Sequence, residues 1–181
     1  MSTATTERVV PEGTWTVDGQ HSSANFEVEH VGVSTFRGGF KPVEAKLVSG
    51  DDGVTLEGRV TVDSISVDDD QIRPHLLSPD FFDAERNPEI TFRSTEFSGT
   101  PDDVTVRGEL AMAGASLQVE AHGKLRGPVE GPAGKKLALS LEATVDRTAY
   151  GMNWQMERPD GGPMLGNDVK LLVELEFNLN A

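Results

Sequence analysis

The chain has 181 residues, 16 Lys plus Arg against 30 Asp plus Glu, a formal charge of −14, and no cysteine. A single domain of this length holds a substantial core, while its acidity disfavours nucleic acid and anionic lipid surfaces as partners. Disulfides, thiolate nucleophiles and thiolate metal ligands are excluded outright.

Residues 1–13 read as a flexible polar tail ahead of one domain over 14–181. The tail has no apolar stretch of signal-peptide length, and no run of about 18 apolar residues follows it. The chain is therefore expected in the cytoplasm, with no stable membrane insertion.

From there the dominant signal is period-two alternation. Short strands are expected at 14–18, 34–40 and 43–48, with Pro42 bending the chain between the last two. In HSSANFEVEHV, Ala24, Phe26, Val28 and His30 share one face opposite Asn25, Glu27 and Glu29. VTLEGRVTVDS sets Val54, Leu56, Val60 and Val62 against Thr55, Glu57, Arg59 and Thr61. Between this strand and the next, at 89–97, lies the chain's helical material. Asp68–Asp70 offer N-cap and first-turn residues for a helix over DDDQIRPHLLS. Ser78 and Pro79 open a second short turn over SPDFFDAERNP, with Asp80 and Asp83 as its first-turn charges. Strands resume with Val104, Val106, Leu110 and Met112, then Leu117, Val119, Ala121 and Leu125. KLALSLEATVD follows, and DVKLLVELEFNL closes the series with Val169, Leu171, Val173, Leu175, Phe177 and Leu179 on one face.

About eight strands, each with one apolar and one charged face, have no helical layer to cover them. They must stack on another sheet or close on themselves. Several reach about 30 Å at roughly 3.3 Å per residue. The fold expected is all-β: an antiparallel eight-stranded barrel with a short helical lid. Its interior positions are mostly Val, Leu, Ala, Gly and Ser, and aromatics are 6% of the chain. Small side chains in a long barrel leave room for an apolar ligand.

Of four histidines, His122 lies on a charged face. His21 starts a strand, His30 falls on the lumen side and His75 in the lid. None has metal-ligand spacing, so no metal site is expected, and the lumenal ones are polar anchors of an apolar pocket. At least one of Phe81 and Phe82 should enter the barrel mouth, where full burial contributes roughly 1.5–3 kcal/mol. Motifs for nucleophilic catalysis or phosphate cradling are absent. In DRTAYGMNW, Tyr150, Met152 and Trp154 share parity as a rim cluster, and Asp146–Arg147 reads as a local ion pair worth about 0–1 kcal/mol if exposed.

WTVDGQHSSANFEVEHVGVSTFRGGF resembles the opening of YceI-like proteins, through Trp15, Asp18, His21, Ser22, Phe26, His30, Gly38 and Phe40. HLLSPDFFDAERNPEITFRST is similar to that family's central signature, and DRTAYGMNW and GNDVKLLVELEFNL to its closing segments, so the likeness covers about residues 14–179. It implies a lipocalin-like barrel that binds a long-chain polyisoprenoid or isoprenoid quinone, with no other cofactor and no catalytic residue. Phe26, His30, Phe36, Phe40, His75, Leu76, Phe81, Phe82, Phe92, Tyr150 and Trp154 become the candidate ligand contacts. A homodimer is admitted on the likeness alone. Arg73-Pro74 stands where relatives carry Arg-Asp, and Leu110-Ala111-Met112…Gly114-Ala115-Ser116 where they carry Leu-Thr-Ile…Gly-x-Thr; both bear on headgroup contacts. The rival readings are an enzyme on a small apolar substrate with His30 or His75 as general base, and a structural barrel with an empty cavity.

Overall fold

The computed structural model describes residues 8–181. It contains eleven strand segments that build eight barrel strands. The first strand is β1 (Gly13–Val17) and β2 (Ser23–His30), bent at a 3-10 turn over Gly19–His21. The second is β3 (Ser34–Phe40) and β4 (Glu44–Gly50), bent at Pro42 as its apolar parity requires. The third is β5 (Gly53–Thr61) and β6 (Ile65–Val67), bent at a 3-10 turn over Val62–Ser64. Then come β7 (Glu89–Thr100), β8 (Asp103–Met112), β9 (Ala115–Gly131), β10 (Gly134–Asp146) and β11 (Leu165–Leu179).

Neighbours in sequence pair antiparallel all the way round. At one end β11 closes the ring on β1, which pairs with β4 and through it β5. At the other end β11 pairs with β2, β2 with β3 and β3 with β6. The result is a closed, up-and-down, eight-stranded antiparallel barrel with very little helix. Closure pairs each long strand on both sides, and only the short β6 keeps a single neighbour, β3.

The first bend is held by side chains. The Asp18 carboxylate accepts from Gln20 N (3.0 Å) and lies 2.8 Å from His21 Nδ1. Buried Ser22 accepts from Glu176 N on β11 at 2.9 Å. Asp18 and His21 therefore brace the kink itself, and Ser22 fastens it to β11. Ser94 does comparable work inside: its hydroxyl accepts from Leu56 N at 2.8 Å, just beyond the last β5–β7 residue pair at Glu57 and Arg93.

The two barrel ends differ. Residues 51–52, 101–102 and 132–133 are tight turns at one end, whereas 68–88 and 147–164 are long connections at the other. The tight end is packed solid by Val10, Trp15, Leu47, Val104, Leu139 and Phe177, all fully buried. Trp15 Nε1 donates to Pro11 O at 3.1 Å, and Ser49 donates to Val10 O at 2.8 Å. Val10 is thus part of the barrel plug although it falls in the stretch expected as a tail, because burying it and satisfying its carbonyl outweighs the polarity of exposed Arg8 and Glu12 around it. Residues 1–7 of that stretch lie outside the described residues.

The lid is shorter in helix than its sequence suggests. Only α1 (Arg73–Leu77) is helical, with Pro74 at its first turn, where a missing N–H costs little. Asp69 caps a turn before it, accepting from Gln71 N at 2.9 Å. The second short turn expected over SPDFFDAERNP is a chain of turns with no helical residue: Phe81 N bonds Ser78 O, Phe82 N bonds Leu76 O and Ala84 N bonds Leu77 O. Asp83 sits at φ 51°, the left-handed region, which stops helix propagation there. No helix among the described residues is long and apolar enough to cross a membrane.

Candidate functional site

Above the packed end the barrel interior opens into an apolar cavity of about 370 Å³, within the range of small-ligand sites, roughly 300–1,000 Å³. β11 shows the gradient that creates it. Its inward residues Leu175 and Phe177 are buried, while Val169, Leu171 and Val173, nearer the lid, are only half-buried because they face open space. Across the lumen the wall is Leu56, Val60, Leu110, Met112, Val119, Ala121, Leu141 and Ala143. Small residues at Ala45, Gly58, Ala121 and Ala143 keep it hollow. Gly38 has a related purpose: it pairs with Phe26, and a Cβ there would meet the Phe26 ring.

The aromatics gather in two groups. Phe26, Phe36, Phe40 and Phe82 form the upper wall, with centroids 5.6 Å apart for Phe40–Phe82 and 5.9 Å for Phe26–Phe40. Phe82 is thus the lid residue that descends into the lumen. Phe81 stays at the rim with His75 and Trp154, where the His75 ring lies 5.0 Å from Phe81 and 4.9 Å from Trp154, edge to face. This trio links the lid to the 147–164 connection. Edge-to-face pairs of this kind contribute about 0.5–1.5 kcal/mol beyond burial.

Ten of the eleven residues singled out in the sequence line this cavity: Phe26, His30, Phe36, Phe40, His75, Leu76, Phe81, Phe82, Phe92 and Trp154. Tyr150 does not. It ends a 3-10 turn over Arg147–Tyr150 and is buried in the core, where its hydroxyl has no hydrogen-bond partner among the described residues and burial pushes its pKa up. His30 touches the cavity but is solvent-exposed at the end of β2, a rim residue where parity alone suggests an interior one.

The histidines do not converge. His21 lies outside on Asp18, and His122 outside beside Glu120 at 2.8 Å. His75 Nε2 is 3.0 Å from Asp80 Oδ2, so Asp80 holds the histidine ring; reading it only as a first-turn charge misses this. Asp18, His21 and Glu176 form the one group of metal-capable side chains among the described residues. Lys136 Nζ sits 3.0 Å from Glu176 and 3.7 Å from Asp18, so the chain's own cation already occupies that spot.

Arg147 is the residue that strand alternation misses. It is only 3% exposed and forms part of the cavity wall. Its guanidinium donates to Gly166 O (2.8 Å), Met152 O (2.6 Å), Trp154 O (2.9 Å) and Asn167 Oδ1 (3.3 Å). Asp146 is not its ion-pair partner: that carboxylate caps the turn through Thr148 N and Thr148 Oγ1, which lower its pKa. Burial pushes the Arg147 pKa down. The exposed ion pair expected from the sequence is replaced by a buried cation solvated by carbonyls, because the loop folds back over the strand end. The adjacent Asp-Arg of the family-like segment was its only sequence signal.

This barrel with a lid and a hollow lumen is matched by known proteins. Residues 15–177 match the YceI-like domain. A UPF0312 protein of Staphylococcus aureus (strain USA300) is 32% identical over 92% of this chain and 98% of its own length. In structure, BcnA of Burkholderia cenocepacia aligns with a TM-score of 0.74 at 17% identity, over 88% of this chain and 98% of that one. The YceI protein of Campylobacter jejuni aligns at 0.69 and 22%, over 84% and 90%. A polyisoprenoid binding domain from Saccharophagus degradans aligns at 0.67 and 10%, over 92% and 98%. The closed barrel, the domain match over nearly the whole chain and the full-length relatives agree: this protein belongs to the YceI-like family.

Proposed function

We propose that this protein binds and carries a long-chain polyisoprenoid, or an isoprenoid quinone, in its barrel lumen, with no covalent chemistry of its own. The observation that carries this reading is the cavity itself, hollow, almost wholly apolar in lining and roofed by Leu76, Phe81 and Phe82. Burying an apolar chain there gains roughly 25 cal/mol for each Å² removed from water. The barrel is closed, so a chain reaches the lumen by way of the lid. Relatives support the class of ligand: the Saccharophagus degradans neighbour is described as a polyisoprenoid binding domain.

Val173→Trp places an indole in the open stretch of β11. The barrel should keep its circular dichroism, and uptake of a fluorescent polyprenyl probe should fall at least about tenfold, since a filled lumen has no room for the chain. Unchanged uptake by the variant would place the binding surface elsewhere and defeat the proposal.

A further inference from the structure

Arg147 is the one charged side chain that is fully buried among the described residues. It sits on the lumen wall just below the lid, held through the Trp154 carbonyl to the loop whose indole packs on His75 and Phe81. Three of its four acceptors are backbone carbonyls, the fourth is a side-chain amide, and none is a carboxylate. An arginine has five N–H donors, so these four contacts leave one N–H for a further acceptor, and the neighbouring Asp146 carboxylate offsets the charge only through space, its Oδ1 being taken by Thr148. Wall structure alone does not need that N–H. A cation in an apolar cavity exerts a strong field, because little solvent screens it. The most favourable partner in reach is an oxygen acceptor delivered by whatever fills the cavity.

We propose that Arg147 anchors a terminal oxygen acceptor, a carbonyl or a phosphate, at the head of the chain bound in the lumen. The inference rests on the carrier reading and adds to it an orientation and a ligand class: the head lies under the lid, the tail runs toward Phe177, and a bare hydrocarbon is the poorer ligand. The two heads share one chemistry, an oxygen that accepts from a guanidinium, and binding assays tell them apart.

The test measures wild-type affinity for three ligands of matched chain length: an isoprenoid quinone, a polyprenyl monophosphate and an isoprenoid hydrocarbon. At least one oxygenated ligand should bind about tenfold or more tighter than the hydrocarbon, a margin expected of one charge-assisted hydrogen bond. Which of the two is preferred identifies the head. Arg147→Met should erase that margin while leaving hydrocarbon affinity within about threefold, and Arg147→Lys should restore part of it. Equal wild-type affinity for all three ligands overturns the anchor, and so does an equal loss for all three in Arg147→Met, which would make the residue part of the wall only. If Arg147→Met does not fold, the wild-type protein decides by nitrogen NMR. The Arg147 Nε–H signal should shift with the oxygenated ligand and not with the hydrocarbon, and a signal that stays put in both refutes the anchor. Failure of all three ligands to bind is a different result, since it removes the carrier reading itself.

Discussion

Asp18, His21 and Ser22 stand in the stretch that opens the family resemblance, yet their side chains work on the barrel wall. The hydrogen bond with His21 is the main cause holding the Asp18 carboxyl below its ordinary value of 3.8, with help from Gln20 N–H and Lys136. A depressed carboxyl pKa contributes stability above the ordinary value and loses it as pH falls through the lower folded one. Asp18→Asn should therefore leave the protein less stable at pH 7, and the gap should narrow below about pH 4, as read from thermal midpoints across pH. A gap that stays constant down to pH 2 would show that Asp18 acts without its charge. Tyr150 gives a second case. Its hydroxyl is buried without a partner among the described residues, and an unsatisfied buried donor costs about 1–3 kcal/mol. Tyr150→Phe should be at least as stable as the wild type in denaturant unfolding; a loss above about 1 kcal/mol would reveal a bond the hydroxyl does make. Neither role was legible from residue type. Period-two parity sets the face of a strand residue, but Tyr150 and Arg147 follow the end of β10, on a turn where that rule no longer applies.

At the scale of elements, the alternating strands were fully readable, since one apolar and one charged face leave a barrel strand little choice. The bend at Pro42 was readable too, from the parity slip between Phe40 and Val43. The lid was not. Asp80 and Asp83 look like helix-start residues, but the left-handed Asp83 breaks the segment into turns that send Phe82 inward and leave Phe81 at the rim. That division of labour makes a prediction. Phe82→Ala should cost stability toward the lower end of the roughly 3–5 kcal/mol seen for Phe→Ala in cores, because the lid can settle into part of the gap. It should also speed release of a bound polyprenyl probe in stopped-flow fluorescence. An unchanged release rate would mean that the lid does not gate the lumen.

For the molecule as a whole, the sequence pointed to a hollow barrel through what it lacks: bulky residues at the inward positions of the long strands. It did not show that one end is solid. The plug is made by Val10 and Trp15 from the N-terminal segment against Leu47, Leu139 and Phe177, contacts between residues far apart in sequence that no local pattern encodes. Val10→Asp would bury an unpaired carboxylate in that plug and should lower the thermal midpoint by several degrees, at about 2–4 °C for each kcal/mol in a chain of this size. With one end sealed and the other lidded, the lumen has a single mouth.

Carriage of one isoprenoid chain in the lumen is best tested by native mass spectrometry of freshly purified protein, followed by denaturing lipid extraction. One long-chain isoprenoid should be found per protein chain, lost on denaturation and recovered when the refolded protein is offered a polyprenyl ligand. Protein that emerges empty and takes up no added chain would contradict it.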